Sequence, residues 1–252
     1  MILIRTEEGT VALHANDIDE VIGILDGIVD ETAKSGDPRG CFAAVYRQMT
    51  LAVKAGVFAD KDRMNSIDTL FANRYFEAYE AATPTRAWQI AFDATKQGRL
   101  IVLQHLLLGI NAHINLDLAV VVGENLSGDE LDAFRADYDK INGIIAGVMP
   151  KVRDAIESFS PLIKILEPVD AVHPVLDFAF DRARDNAWVW AEMLSQMDAN
   201  LRPAAIDVLD RNVAVLGRVI ARPDPLTSAL VGLVHNTESK DMRRIIRTLD
   251  NL

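Results

Sequence analysis

His113 and Asp117 stand four residues apart in the run QHLLLGINAHINLDLAVV, residues 104–121. On a helix turning about 100° per residue, that spacing puts both side chains on one face, one turn apart. An aspartate so placed can fix the tautomer of the imidazole, and an imidazole held that way is a general base or a metal ligand backed by a carboxylate. The same pair also reads as a self-satisfied hydrogen bond in a core, because a buried polar group needs a partner whatever its role. His105 lies about 80° round the helix from His113, near enough to flank the same crevice. Either His105 or Asp68, on a preceding helix, would supply a second proton-transfer group. Gly109, one turn before His113, leaves space beside the ring for a ligand or for a neighbouring helix. Gln104, Asn111 and Asn115 make a second polar stripe. In the functional reading Asn111, Asn115 and Arg74 bind polar atoms of a substrate, while the structural reading has the amides pin neighbouring backbones.

A further polar cluster occupies FDRARDNAWVW, residues 180–190. Its aromatic residues require part of that helix to face the core, and Asp185, three before Trp188, is the charged residue expected there. Tyr75 and Trp188, with Phe71 and Phe178, are expected to wall an apolar cavity at the middle of the central helix. A lipid-, polyketide- or terpene-like molecule suits such a wall better than a sugar or a nucleotide. Established chemistries with fixed spacings are absent. No histidine follows a glutamate by three, and the chain has no HExxH, P-loop, GxGxxG after a strand, GxSxG or DDxxD. A single metal on His105, His113 and a carboxylate such as Asp68 or Asp185 stays conceivable. With only two histidines well placed, the expectation is no metal and no cofactor.

Positioning these groups requires helices. Period-3.6 patterning runs from Asp17 onward, and only residues 1–14 alternate as a short strand pair would. Asn16 is expected to cap the first helix, Pro38 to begin the second, and Asn65 or Ser66 to open the third. Ser127 and Glu130 have capping-box spacing, and the helix they start is expected to break near Pro150. Residues 160–174 are the best candidate for a long loop. Pro174 and Pro203 suit the first turns of later helices, and Thr237 the cap of the last. Residues 100–122 form the central buried helix. About nine helices with almost no sheet predict an all-α, compact, single domain over 1–252.

Of the 252 residues, 50% are hydrophobic, enough for a sizeable core, and the net charge of −11 would repel nucleic acid and anionic membranes. The single cysteine, Cys41, cannot form an internal disulfide, which suits a reducing compartment, and Glu7 and Glu8 stand where a signal peptide would place its apolar core. A cytoplasmic location is therefore expected. The segment 100–122 has membrane-spanning length, but its polar side chains argue against stable insertion. A small apolar molecule is the expected partner, and oligomerisation is left open.

Five blocks carry a resemblance: CFAAVYRQMT at 41–50, DTLFANRY at 68–75, AW at 87–88, LQHLLLGINAHINLDL at 103–118 and ARDNAW at 183–188. With them the chain resembles a mostly bacterial family catalogued as a domain of unknown function, for which HLLLGINAHINLDL is the distinctive stretch. The resemblance implies a helical domain whose signature residues are polar ones on apolar helices, and it implies no catalytic assignment. The residues themselves point to an enzyme in which His113 performs acid/base work on a small, largely apolar molecule. Hydrolysis, elimination, and cyclisation or isomerisation all stay open. The alternative is a non-catalytic helical module that binds a ligand or a partner and whose buried polar residues are structural.

Overall fold

A computed structural model describes residues 4–5, 11–166 and 180–252. Ten helices are present among them. They are α1 (Ile18–Ser35), α2 (Arg39–Ala55), α3 (Lys61–Glu80), α4 (Arg86–Thr95), α5 (Val102–Asn125), α6 (Asp129–Phe159), α7 (Phe180–Gln196), α8 (Arg202–Ala221), α9 (Pro225–Thr237) and α10 (Met242–Asp250). A short 3-10 turn covers Ile163–Leu166. The N-terminal alternation makes no sheet layer. It yields only a two-residue antiparallel ladder, Ile4–Arg5 against Val11–Ala12.

Local chemistry explains most helix ends. Asp17 rather than Asn16 caps α1, its carboxylate accepting the Glu20 N–H at 2.8 Å, and Gly36 at φ 75° ends that helix with its N–H on the Thr32 carbonyl. Asp60 caps α3 through the Arg63 N–H, so that helix begins a turn earlier than Asn65. Ser127 and Glu130 do not form their box. Gly128 takes the cap position at φ 51° with no side-chain cap. Asp241, not Thr237, caps α10. Helix α6 runs through Pro150 without breaking. Proline strands the carbonyl four residues back, and here that residue, Ala146, is exposed, so water can satisfy it. The expected start at Pro174 lies outside the described residues, as do 167–173 of the expected long loop.

Helix α5 is the axis of the fold, contacted by α2, α3, α4, α7 and α8. It is long and apolar enough to cross a membrane, and every residue in that apolar window is buried within the protein. Its backbone is α-helical over Val102–Ala112 and Ala119–Asn125, with a π-helical turn over His113–Leu118 between them. Wider π turns occur mostly as single turns within α-helices, frequently at functional sites. Here the turn holds both His113 and Asp117.

Candidate functional site

Asp117 organises the centre of the molecule from the π turn. It is 1% exposed and accepts three hydrogen bonds. The Trp88 indole N–H from α4 donates to Oδ2 at 2.8 Å, His113 Nδ1 lies 3.1 Å from the same oxygen, and Arg74 Nε from α3 donates to Oδ1 at 3.4 Å. An anionic carboxylate offers His113 only an acceptor, so Nδ1 carries the proton and Nε2 is left as a bare lone pair. That Nε2 is buried and has no partner. Burial pushes the His113 pKa below the ordinary imidazole range, with Asp117 opposing the shift, so the ring is neutral at neutral pH.

Aromatic side chains lock the ring in place. Phe71 stacks on it at 3.5 Å between centroids and 9° between planes, and Tyr46 meets it edge-on at 4.5 Å. Phe42 and Tyr75 complete the cluster at 5.7 and 6.1 Å. Against this cluster lies a cavity of about 90 Å³. Its wall is almost wholly apolar, with Val45, Met49, Ile67, Ile114 and Ile141 among the lining side chains, and Phe180 contributes from α7. Polar side chains interrupt it at His113, Asp68, Tyr46, Thr50, Tyr138 and Arg184. Three of these are already occupied. Thr50 donates to the Tyr46 carbonyl, while the Tyr138 hydroxyl donates to the Arg184 carbonyl and Arg184 Nη2 donates to the Tyr138 carbonyl. The other three present buried polar atoms without partners: His113 Nε2, Asp68 Oδ2 and the Tyr46 hydroxyl. Burial alone pushes the Asp68 carboxyl up to about 7, and the Tyr46 phenol is raised by burial and then by the nearby Asp68 and Asp117 charges, with the Thr50 side chain acting the other way.

The structure separates the remaining candidates from this centre. His105 is buried with Nδ1 unpartnered and its pKa pushed down to about 4 by burial, but it does not line the cavity. On a helix enclosed on all sides, a rotation of about 80° is enough to face a different neighbour. Asn111 donates to the Val213 carbonyl at 3.0 Å and Asn115 donates to Asn111 Oδ1 at 3.1 Å, while Gln104 donates to the Ile220 carbonyl at 2.7 Å. Gln104 and Asn111 therefore hold α8 against α5, and none of the three amides lines the cavity. Arg74 is spent on Asp117. Tyr75 is fully buried behind Phe42, 5.2 Å between rings, and does not line the cavity. Asp185 is a surface residue, its side chain 63% exposed and 3.6 Å from Arg135. Its neighbour Arg184 is the charged residue that turns inward, at 3% exposure. Trp188 packs on Tyr138 at 4.8 Å and donates to Glu192, away from the cavity. Phe178 lies outside the described residues.

Gly109 does not open onto the void either. A Cβ there would sit 2.5 Å from Phe42 Cγ and Cδ2, so the missing side chain admits the Phe42 ring. The void itself is small. A dry cavity of about 150 Å³ holds benzene, so about 90 Å³ suits a molecule of four or five heavy atoms rather than one of terpene size. Trp88 and Tyr46, which complete the site, carry no spacing relation to His113 in the sequence. Among the described residues no three of His, Cys, Asp and Glu converge as a metal site would require.

No curated protein and no solved structure matches the chain. A family model described as "Family of unknown function (DUF5995)" matches residues 18–223, which takes in Tyr46, Asp68, Trp88, His113 and Asp117 and most of the chain, and the protein belongs to that family.

Proposed function

We infer that the protein is an enzyme that moves protons on a small, largely apolar molecule seated beside His113. The observation that carries this reading is the Asp117–His113 pair, with Nδ1 committed to the carboxylate and a bare, neutral Nε2 on a residue that lines an apolar cavity. That is the arrangement of a general base whose tautomer and orientation are fixed by a carboxylate. Trp88 and Arg74 hold the carboxylate in place by donating to it, which makes them positioning residues. Leaving a buried acceptor unsatisfied costs about 1–3 kcal/mol, and a ligand O–H or polarised C–H would remove that cost. Among the described lining residues there is no serine or cysteine, and Thr50 is already bonded, so proton transfer is the chemistry this wall offers most directly.

The test uses isobutanol as a probe of matching size, with long-range proton–nitrogen NMR of the histidine rings. At pH 7 the His113 spectrum should be that of an Nδ1–H tautomer, and isobutanol should shift the Nε2 resonance. His113→Gln should abolish probe binding while the protein stays folded. The rival reading, a non-catalytic helical module, is favoured by the amide stripe being wholly structural. It requires that His113→Gln lower stability and leave probe binding unchanged. An Nε2–H tautomer at pH 7 would also sink the enzyme reading.

A further inference from the structure

Beyond the base, the cavity holds two other unpartnered polar groups, and together the three define what a substrate must carry. Asp68 and Phe71 lie three residues apart on α3, one turn along the same face, and Phe71 stacks directly on His113. Tyr46 on α2 contacts both the Phe71 and His113 rings, at 6.1 and 4.5 Å. The Tyr46 hydroxyl, Asp68 Oδ2 and His113 Nε2 thus come from three helices to one apolar space, each buried and each without a hydrogen bond. The other titratable side chains on the wall, Tyr138 and Arg184, are bonded to one another's backbone. The Arg184 guanidinium is engaged by the Tyr138 carbonyl and the Asn142 side chain, and burial raises the Asp68 carboxyl to about 7. A protonated carboxyl and a phenol are hydrogen-bond donors, whereas Nε2 is an acceptor.

We propose that the substrate is a small aliphatic carbonyl compound, and that the Tyr46 hydroxyl and the Asp68 carboxyl bind its oxygen while His113 Nε2 removes a proton from the adjacent carbon. This deepens the proton-transfer reading and rests on it. In the step, the C–H electron pair becomes a C=C bond, and the carbonyl π pair moves onto oxygen. The charge developing there is held by the two donors. The proton resides on Nε2 and returns from it, to the same carbon or to one two bonds further along an unsaturated chain, restoring the carbonyl. Nothing is oxidised or reduced, and no second reactant is consumed. The reaction class is enolisation, with double-bond isomerisation as its net form. Donors aimed at an oxygen that gains charge are worth far more in a water-excluded site than in water, so the apolar wall contributes to the chemistry as well as to binding. An alcohol can meet the same groups through its lone pairs and hydroxyl but has no acidic C–H to give up, and an alkane meets none of them. A carbonyl with an acidic neighbouring C–H uses all three groups.

Butanone, with five heavy atoms, serves as the probe. The protein is incubated with it in deuterium oxide at neutral pD, α-hydrogen exchange is followed by proton NMR, and occupancy is read from the Phe71 and His113 resonances. The expected result is exchange well above the buffer rate. It should be abolished in His113→Gln and reduced roughly 100-fold in Tyr46→Phe, the scale of losing one oxyanion donor, with butanone still bound in Tyr46→Phe. Asp68→Asn, which keeps the shape and a donor, should retain more exchange than Asp68→Leu. Butanone that binds without accelerated exchange overturns the carbonyl proposal and leaves the cavity reading standing. Exchange unchanged by Tyr46→Phe overturns the assigned donor. Failure of both butanone and isobutanol to perturb His113 overturns this proposal and the proton-transfer reading together.

Discussion

Replacing Gly109 by alanine sets two physical effects of opposite sign against each other. In a helix interior, alanine is favoured over glycine by about 0.8–1 kcal/mol, chiefly because glycine loses more backbone entropy on folding. At Gly109 the added Cβ would sit 2.5 Å from Phe42 Cγ and Cδ2 and 2.9 Å from its Cβ. Ordinary contact begins near 3.4 Å, so the ring would have to retreat by roughly an ångström (3.4 minus 2.5). It cannot swing freely, because Tyr75 lies 5.2 Å, Trp88 5.5 Å and Tyr46 5.6 Å from it, centroid to centroid. Forcing a methyl into packing of that density costs about 1–3 kcal/mol. The clash therefore cancels or outweighs the propensity gain, and Gly109→Ala should lower stability by roughly 0–2 kcal/mol net. Gly143 on α6 supplies the control. It is exposed, nothing lies within 4 Å of its added Cβ, and Gly143→Ala should stabilise by about 0.5–1 kcal/mol. Equilibrium urea unfolding followed by tryptophan fluorescence measures both, with an unchanged m-value required for the comparison. If the two variants shift stability in the same upward direction, Gly109 is not holding a place for Phe42 and the description of this contact is wrong.

Other consequences are measurable in the same way. Trp88→Phe removes the 2.8 Å donor to a buried charged carboxylate and should cost about 2 kcal/mol, with the His113 Nδ1 proton shifting in NMR. Asn111→Ala should cost about 1–2 kcal/mol by stranding the Val213 carbonyl, yet leave butanone occupancy of the cavity intact, since the amide does not face it. The pH dependence has a definite sign at each of two buried groups. Asp68 has a raised folded pKa, so the folded state binds its proton more tightly. Its contribution to stability is full below the ordinary aspartate pKa near 4 and is lost as pH climbs to about 7. Asp68→Asn should thus gain on the wild type progressively between those limits and level off above them. His105 has its pKa depressed to about 4, so its contribution is full above about 6.5 and is lost on acidification to pH 4. A His105→Leu protein should show a visibly flatter acid limb in pH-dependent unfolding, and an unchanged limb would contradict the burial of an uncharged ring.

The sequence carried the helices and the His113–Asp117 pair because both depend on local spacing. Hydrophobic period reveals which stretch is helical, and an i, i+4 relation is preserved whatever surrounds it. It could not supply Trp88 and Arg74 as the other two donors to Asp117, because they arrive from α4 and α3 and no local rule links them to position 117. Tyr46 stayed out of view for the same reason. Asp185 was a near miss of a particular kind. Neighbouring positions on a helix differ by about 100°, so an aromatic-rich helix identifies the buried side only to within one residue, and Arg184 takes the inward place by bonding the Tyr138 carbonyl and the Asn142 side chain. The amide stripe was visible as a pattern, but whether an amide serves a ligand or a neighbouring carbonyl depends on α8, which the pattern does not contain. Asp68 was named from its helical spacing to Phe71 and Tyr75, a pattern that a carboxylate complementing the helix dipole also fits, and its burial against the cavity depends on the packing of α3, which the spacing does not contain.

The π turn in α5 also has a meaning for phase. Its first part is keyed to α4 and α8, and its last part lies against α7. An α-helix of uninterrupted phase would fix the angular relation between those two docking faces by the number of residues alone. One surplus residue in the turn, the usual content of such a bulge, advances the second face by about 100° relative to the first. Both halves can then meet their neighbours while His113 and Asp117 stay together on the intervening stretch. Length rather than chemistry is thus the sensitive quantity between 113 and 118. Removing one apolar residue there, Ile114 for instance, would leave every polar side chain of the site in the chain and yet oblige either α7 or α8 to lose its register, whereas most single substitutions at the same place would keep the two halves in step.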